Sequence, residues 1–205
     1  MPKDTFNHLK PEKKQRIIDA TIKELSEQPF EHVNLSNIIR DAGIARGSFY
    51  QYFENKDDLY QYFSMYIGQK KSELLSDLFD LTHYMPFIER LKALFLRGFV
   101  FAKTYPELVS AGYNMTQSSL FRDSPIYQQA YQQGIDFFEM LIKIDQDKGT
   151  IRQDLEARYL AEMILFTMNQ INKDFFIHPN RPMEDIEKQV NFTISILQKG
   201  ITHHV

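Results

Sequence analysis

The sequence predicts an all-α protein, with an N-terminal three-helix helix-turn-helix domain followed by a larger helical domain, about nine helices in all. Apolar residues recur at intervals of three and four along nearly the whole chain, and no segment alternates as a half-buried strand does. Gly43, Pro106 and Gly149 punctuate the periodic stretches at places where helices are expected to stop.

The first helix runs from about Pro11 to Gln28. Proline is tolerated in its first turn because the missing N–H would be unpaired there anyway. Ile18, Ile22 and Leu25 form its apolar stripe, with Ile17 and Ala20 beside them. Asn34 is a good N-cap for a short second helix that carries Leu35, Ile38, Ile39 and Ala42 and ends at Gly43. A third short helix covers about Arg46 to Phe53. Asn55 then caps a long fourth helix bearing Leu59, Phe63, Ile67, Leu74 and Leu78. Met85–Lys103 repeats apolar residues at Phe87, Leu91, Leu94, Phe95 and Phe99, and a short irregular helix follows Pro106 around Glu107–Met115. Ser124 and Pro125 open a helix that reaches about Lys148, and Gly149 ends it. Residues 154–176 and 183–201 form the last two helices. The best domain boundary lies inside the fourth helix, giving residues 1–56 and 57–205.

Composition narrows the function. The chain has 205 residues, 24 Lys+Arg against 27 Asp+Glu, and no Cys. A disulfide framework, a thiolate zinc site and a cysteine nucleophile are therefore excluded. No basic-then-apolar leader opens the chain and no apolar run is long enough to span a bilayer, so the expectation is a cytoplasmic protein with no membrane partner. Residues 1–56 hold nine Lys/Arg and eight Asp/Glu, whereas residues 57–205 hold fifteen and nineteen. Any surface that meets a polyanion is thus expected near the N-terminus.

Catalytic and metal motifs fail. There is no HExxH, GxSxG or Walker loop. The six His are scattered, with His203 and His204 read as a frayed tail. The stretch from Asp145 to Glu156 imitates a calcium loop, but Thr150 stands where the turn needs glycine. No enzyme activity, cofactor or metal is expected.

The informative segment is residues 34–56, NLSNIIRDAGIARGSFYQYFENK. Two short helices flank Gly43-Ile44-Ala45, and a helix-turn-helix needs a φ-permissive residue there for the second helix to cross the first steeply. That second helix would present Arg46, Ser48 and Gln51 outward. Arg can donate to guanine O6 and N7 together, while Ser and Gln can bond base edges or phosphates. Tyr50, Tyr52 and Lys56 lie at or just past the helix end, where they suit phosphate contacts that fix register. Phe49 is expected to pack on the backbone or on a thymine methyl.

Residues 13–60 resemble the DNA-binding region of the tetracycline-repressor (TetR/AcrR) family. The shared pattern is a capped second helix at Asn34, the turn Ala42-Gly43-Ile44, the run Ala45-Arg46-Gly47-Ser48-Phe49-Tyr50-Gln51-Tyr52-Phe53, and Asn55-Lys56-Asp57-Asp58-Leu59. The resemblance implies that Asn34, Ser36, Ala45, Arg46, Ser48, Phe49, Tyr50, Tyr52 and Lys56 contact double-stranded DNA at an inverted-repeat operator. One departure stands out. Members of the family usually carry Ser or Thr where Ala45 stands, so this chain gives up a side-chain cap on the recognition helix, at a cost of about 0.5–2 kcal/mol.

The larger region is rich in aromatic and soft residues. The resemblance implies an apolar pocket there for a small hydrophobic or acyl-chain-like ligand that weakens DNA binding, with Phe95, Phe99, Phe137, Met140 and Phe166 as its expected lining. Arg97 or Lys103 could anchor a carboxylate, although surface exposure is the simpler reading of both. An inverted repeat needs two recognition helices and one chain supplies one, so a homodimer is expected. Its interface is placed on the last two helices, on Ile186, Val190, Ile194, Leu197 and Ile201, with Phe192 able to reach a partner. The competing reading is a helical carrier or interaction protein whose helix-turn-helix no longer reads DNA.

Overall fold

A computed structural model describes residues 2–177 and 181–202; His203 and His204 lie outside the described residues. In chain order the helices are α1 (Asp4–Asn7), α2 (Pro11–Glu27), α3 (Leu35–Asp41), α4 (Arg46–Tyr52), α5 (Lys56–Phe79), α6 (Phe87–Thr104), α7 (Pro106–Gln117), α8 (Ser119–Arg122), α9 (Pro125–Asp147), α10 (Ala157–Ile177) and α11 (Met183–Ile201), with one 3₁₀ turn at Phe30–His32. The described residues form no β-strand, only an isolated bridge between Ile151 and Thr202. Two elements exceed the nine expected, α1 and α8. Each has four residues, too few to show a 3.6-residue period.

The chain divides into two compact units, Met1–Leu74 with Phe101–Ile126, and Leu75–Val100 with Tyr127–Val205. Helices α5, α6 and α9 each pass from one unit into the other.

In the first unit the helix-turn-helix rests on a floor that sequence periodicity did not assign to it. Ile17, Leu25, Ile38, Ala42, Phe49 and Phe53 share one core with Leu59 and Phe63 of α5, Phe101 of α6, and Leu108, Ala111 and Met115 of α7. Helix α7 packs along α2. Asn114 of α7 donates from its amide nitrogen to the carbonyls of Leu25 (2.9 Å) and Ser26 (3.1 Å), which closes the carboxyl end of α2. Gly112 allows α5 to come close, because a Cβ there would lie 3.3 Å from the Ile67 Cδ1.

The second unit has its own core of Leu78, Leu91, Phe95, Phe99, Ile135, Phe138, Ile142, Ile164, Ile186 and Val190. Two buried ionic side chains close helix ends inside it. The carboxylate of Asp145 accepts from the Phe87 N–H (2.9 Å) and the Tyr84 hydroxyl (3.1 Å), so it caps α6. Arg90 donates from its guanidinium to the carbonyls of Leu78 and Asp80, closing α5. On the surface, Arg158 of α10 bridges Asp136 (3.1 Å) and Glu139 (2.9 Å) of α9. No helix among the described residues is long and apolar enough to cross a membrane.

Candidate nucleic-acid interface

The geometry of the interface is set by the turn between α3 and α4. Asn34 caps α3, its side-chain oxygen accepting from the Ser36 N–H at 2.9 Å. The entry is fixed from behind by Glu24, a buried carboxylate on α2 that accepts from the Asn34 N–H (2.8 Å) and from the Asn37 amide (3.1 Å). At the other end of α3, Gly43 adopts φ +63°. The Gly43 N–H then donates to the Arg40 carbonyl (3.0 Å) and the Ile44 N–H to the Ile39 carbonyl (3.2 Å), a Schellman closure that requires the left-handed glycine. Ile44 packs against the core and the chain re-enters a helix at Arg46.

Helix α4 has seven residues and two distinct faces. Phe49 and Tyr52 are buried, and Phe53 just beyond the helix is buried with them. Arg46, Gly47, Tyr50 and Gln51 are exposed, and Ser48 is half-buried at the edge of that face. This revises two expected DNA contacts. A seven-residue helix can be held on its floor only by burying one side, and Phe49 and Tyr52 are that side. Tyr50 remains available, 44% exposed and edge-on to the Phe49 ring. At Ala45 no side-chain bond caps the helix, as its side chain dictates.

Charge pairing separates the cations around this site. The Lys23 ammonium lies 3.1 Å from Asp41, and the Arg40 guanidinium donates to Asp41 (2.8 Å) and Asn37 (3.1 Å). The bond from Arg40, followed by that from Lys23, holds the Asp41 carboxyl below the usual carboxylate range, so at neutral pH the trio is internally neutralised in part. Arg46 and Lys56 are exposed and have no ion-pair or hydrogen-bonded side-chain partner among the described residues. Both are cations beside α4 that a polyanion can claim without breaking an ion pair or a hydrogen bond. Lys56 opens α5, where Asn55 caps the helix by accepting from the Asp58 N–H at 2.9 Å.

The other expected sites fall in the second unit. Phe95 and Phe99 of α6 are buried, Phe137 of α9 is half-buried, and Met140 and Phe166 are exposed. Phe137 stands edge-on to Phe79 (5.2 Å between ring centres) and contacts Phe138 (5.8 Å), which makes it part of an aromatic cluster. Arg97 pairs with Asp77. On α11, Ile186, Val190, Ile194 and Ile201 are buried in the chain's own core and Leu197 is half-buried. A single-chain sequence shows which face of a helix is apolar but not whether the same chain covers it. The apolar side chains left in solvent are others: Phe192 (67%) and Ile196 on α11, and Tyr159 (73%), Met163 and Phe166 (66%) on α10.

An all-α chain with a Gly-turned helix-turn-helix at its start defines a class of DNA-binding regulators, and the comparisons agree. Residues 17–63 match the family model described as bacterial regulatory proteins, tetR family. The fatty acid metabolism regulator protein of Bacillus subtilis (strain 168) is 23% identical over 191 residues, 92% of this chain and 95% of that protein. Among solved structures, a TetR family transcriptional regulator from Chloroflexus aurantiacus J-10-FL matches over 100% of both chains with a TM-score of 0.79 at 23% identity. The regulator FadR from Bacillus subtilis, in complex with stearoyl-CoA, covers 91% of this chain and 98% of its own with a TM-score of 0.75 at 21% identity.

Proposed function

We propose that the protein is a homodimeric transcriptional repressor that binds an inverted-repeat operator in double-stranded DNA and leaves it when a small apolar or acyl-chain-like ligand binds. The observation that carries the reading is the unpaired, exposed pair Arg46 and Lys56 on either side of a recognition helix whose inner face is anchored by Phe49 and Tyr52. Arg46 suits a bidentate contact to guanine, Ser48 and Gln51 suit base edges or phosphates, and Tyr50 and Lys56 suit phosphates. A DNA target implies that it acts in the cytoplasm, and residues 1–56 are the part that would touch the operator.

The second copy is supported by the exposed stripes Tyr159-Met163-Phe166 and Phe192-Ile196, which are spaced by one turn or two along α10 and α11. Large apolar side chains repeated along one stripe mark an association surface rather than scattered exposure. The ligand would enter the aromatic core of the second unit, around Phe95, Phe99 and Phe137. Its acyl-chain character is supported by the apolar, aromatic side chains gathered there and by the similarity to a regulator that holds stearoyl-CoA. Helix α5 offers the route of coupling: it places Leu59 and Phe63 in the core under α4 and Leu78 in the core of the second unit.

The test is to incubate the purified protein with random duplexes and sequence those it retains. An enriched palindrome supports the proposal. Retention without sequence enrichment, or none at all, refutes operator reading and leaves the carrier as the better account.

A further inference from the structure

Helix α4 is shorter than an isolated helix can sustain, and Ala45 leaves its amino end without a side-chain cap. Its carboxyl end should have four carbonyls with no intrahelical partner, those of Phe49, Tyr50, Gln51 and Tyr52. Every one of them is occupied. Phe49 O accepts from the Phe53 N–H at 2.9 Å. The other three are taken by a segment more than forty residues earlier in the chain. The Lys3 ammonium donates to Tyr50 O (2.9 Å), the Thr5 hydroxyl donates to Gln51 O, and the Lys3 backbone N–H donates to Tyr52 O (2.8 Å). The Glu54 N–H, which would continue the helix onto Tyr50 O, is turned to Asp58 instead (3.2 Å).

The segment is held in place by its own aromatic anchor. Phe6 is fully buried, with its ring 4.8 Å from Phe53, 4.9 Å from Tyr62 and 6.2 Å from Tyr52. The Lys14 ammonium covers the same ring at 5.1 Å. The one-turn helix α1 is thus pinned to the core at Phe6 and reaches back to the recognition helix through Lys3 and Thr5.

We infer that Lys3 and Thr5 are positioning residues for DNA recognition, forming with Phe6 an N-terminal clamp that fixes the carboxyl end of α4 and so the direction in which Arg46 is presented. This rests on the proposal that α4 reads DNA. A clamp of this kind offsets what Ala45 gives up at the opposite end. Lys3 acts through the Tyr50 and Tyr52 carbonyls, not by neutralising a phosphate.

The backbone suggests a clean variant. Lys3 has φ −70° and ψ 156°, a conformation that proline adopts without strain, so Lys3→Pro removes both of its donors and leaves the chain path intact. Thr5→Val removes the third donor at nearly constant shape, and Thr5→Ser restores it. Two readouts on the full-length protein decide the matter. The first is amide hydrogen exchange of the free protein. The clamp predicts faster exchange across residues 46–53 in Lys3→Pro and Thr5→Val, wild-type exchange in Thr5→Ser, and no change in α9 or α11. The second is affinity for the operator selected above, with its salt dependence. Thr5→Val should bind roughly two- to tenfold more weakly, Lys3→Pro more weakly still, Thr5→Ser as wild type, and the salt slope should stay the same in all three.

Unchanged exchange over residues 46–53 overturns the inference. So does unchanged affinity where exchange has risen, and so does a salt slope made shallower by about one phosphate in Lys3→Pro, which would make Lys3 a direct DNA contact. A wild-type protein that selects no duplex defeats the DNA-reading proposal, and the positioning role falls with it; the exchange experiment still reports whether the clamp itself exists.

Discussion

Two glycines beside one another in the interface obey different physics. Gly43 sits at φ +63° and closes α3, so an L-residue there is strained whatever the space around it. Gly43→Ala is expected to cost about 1–2 kcal/mol, measured by denaturant unfolding, and to disturb the crossing of α3 and α4. Gly47 lies in α4, has no positive φ, and a Cβ there would meet nothing within 4 Å. The fold does not need it. Gly47→Ala should therefore stabilise the free protein by about 0.5–1 kcal/mol through helix propensity, while crowding a face that DNA approaches, so thermal stability and operator affinity should move in opposite directions. A rise in both would show that the exposed face of α4 has room for a methyl group and that DNA does not come close there. The turn was legible in the sequence because Gly43 and the Asn34 cap leave local signals. The inward turn of Phe49 and Tyr52 was not, since Tyr50 and Tyr52 look alike in a seven-residue helix until the floor beneath them is known.

At the scale of helices, periodicity located every element of three turns or more, and the amino ends of α2 and α5 fall where Pro11 and the Asn55 cap put them. What it could not supply is which neighbour covers each face. The packing of α7 along α2 depends on contacts between residues some ninety positions apart, such as Asn114 with Leu25, and no local pattern encodes them. The same limit governs the last helices. The stripe of Ile186, Val190 and Ile194 is strongly apolar and is buried by its own chain, which leaves other side chains, Phe166 on α10 and Phe192 on α11 among them, open to a partner. Phe166→Glu together with Phe192→Glu should leave the circular dichroism spectrum intact and shift the protein from dimer to monomer in light scattering. Glutamates at Val190 and Ile194 should instead unfold it, because each would bury a charge without a partner. A double variant at Phe166 and Phe192 that remains dimeric would remove these faces from the interface.

At the scale of the whole molecule, the proposed function requires one chain to couple two binding events. If an apolar ligand around Phe95, Phe99 and Phe137 weakens operator binding, thermodynamic reciprocity requires the operator to weaken ligand binding by the same factor, about 5–150-fold for typical couplings of about 1–3 kcal/mol. Acyl chains and aromatic compounds that raise the melting temperature should release DNA in titration, and Phe99→Ala should blunt both effects together. Stabilisers with no effect on operator affinity would point to a carrier. The ligand end of this scheme was the least legible part of the sequence, because a Phe that lines a pocket and a Phe that fills a core occupy the same helical positions. The DNA end is the sharper claim, and it rests on Arg46. The most direct measurement compares the wild type with Arg46→Ala and Lys56→Ala on the selected operator and on single-base variants of it, across a range of salt. The account predicts that Arg46→Ala loses about 1–3 kcal/mol and relaxes preference at one base position in each half-site. Lys56→Ala should weaken all sequences alike and make the salt dependence shallower. An Arg46→Ala protein that keeps both the affinity and the sequence preference of the wild type would contradict it.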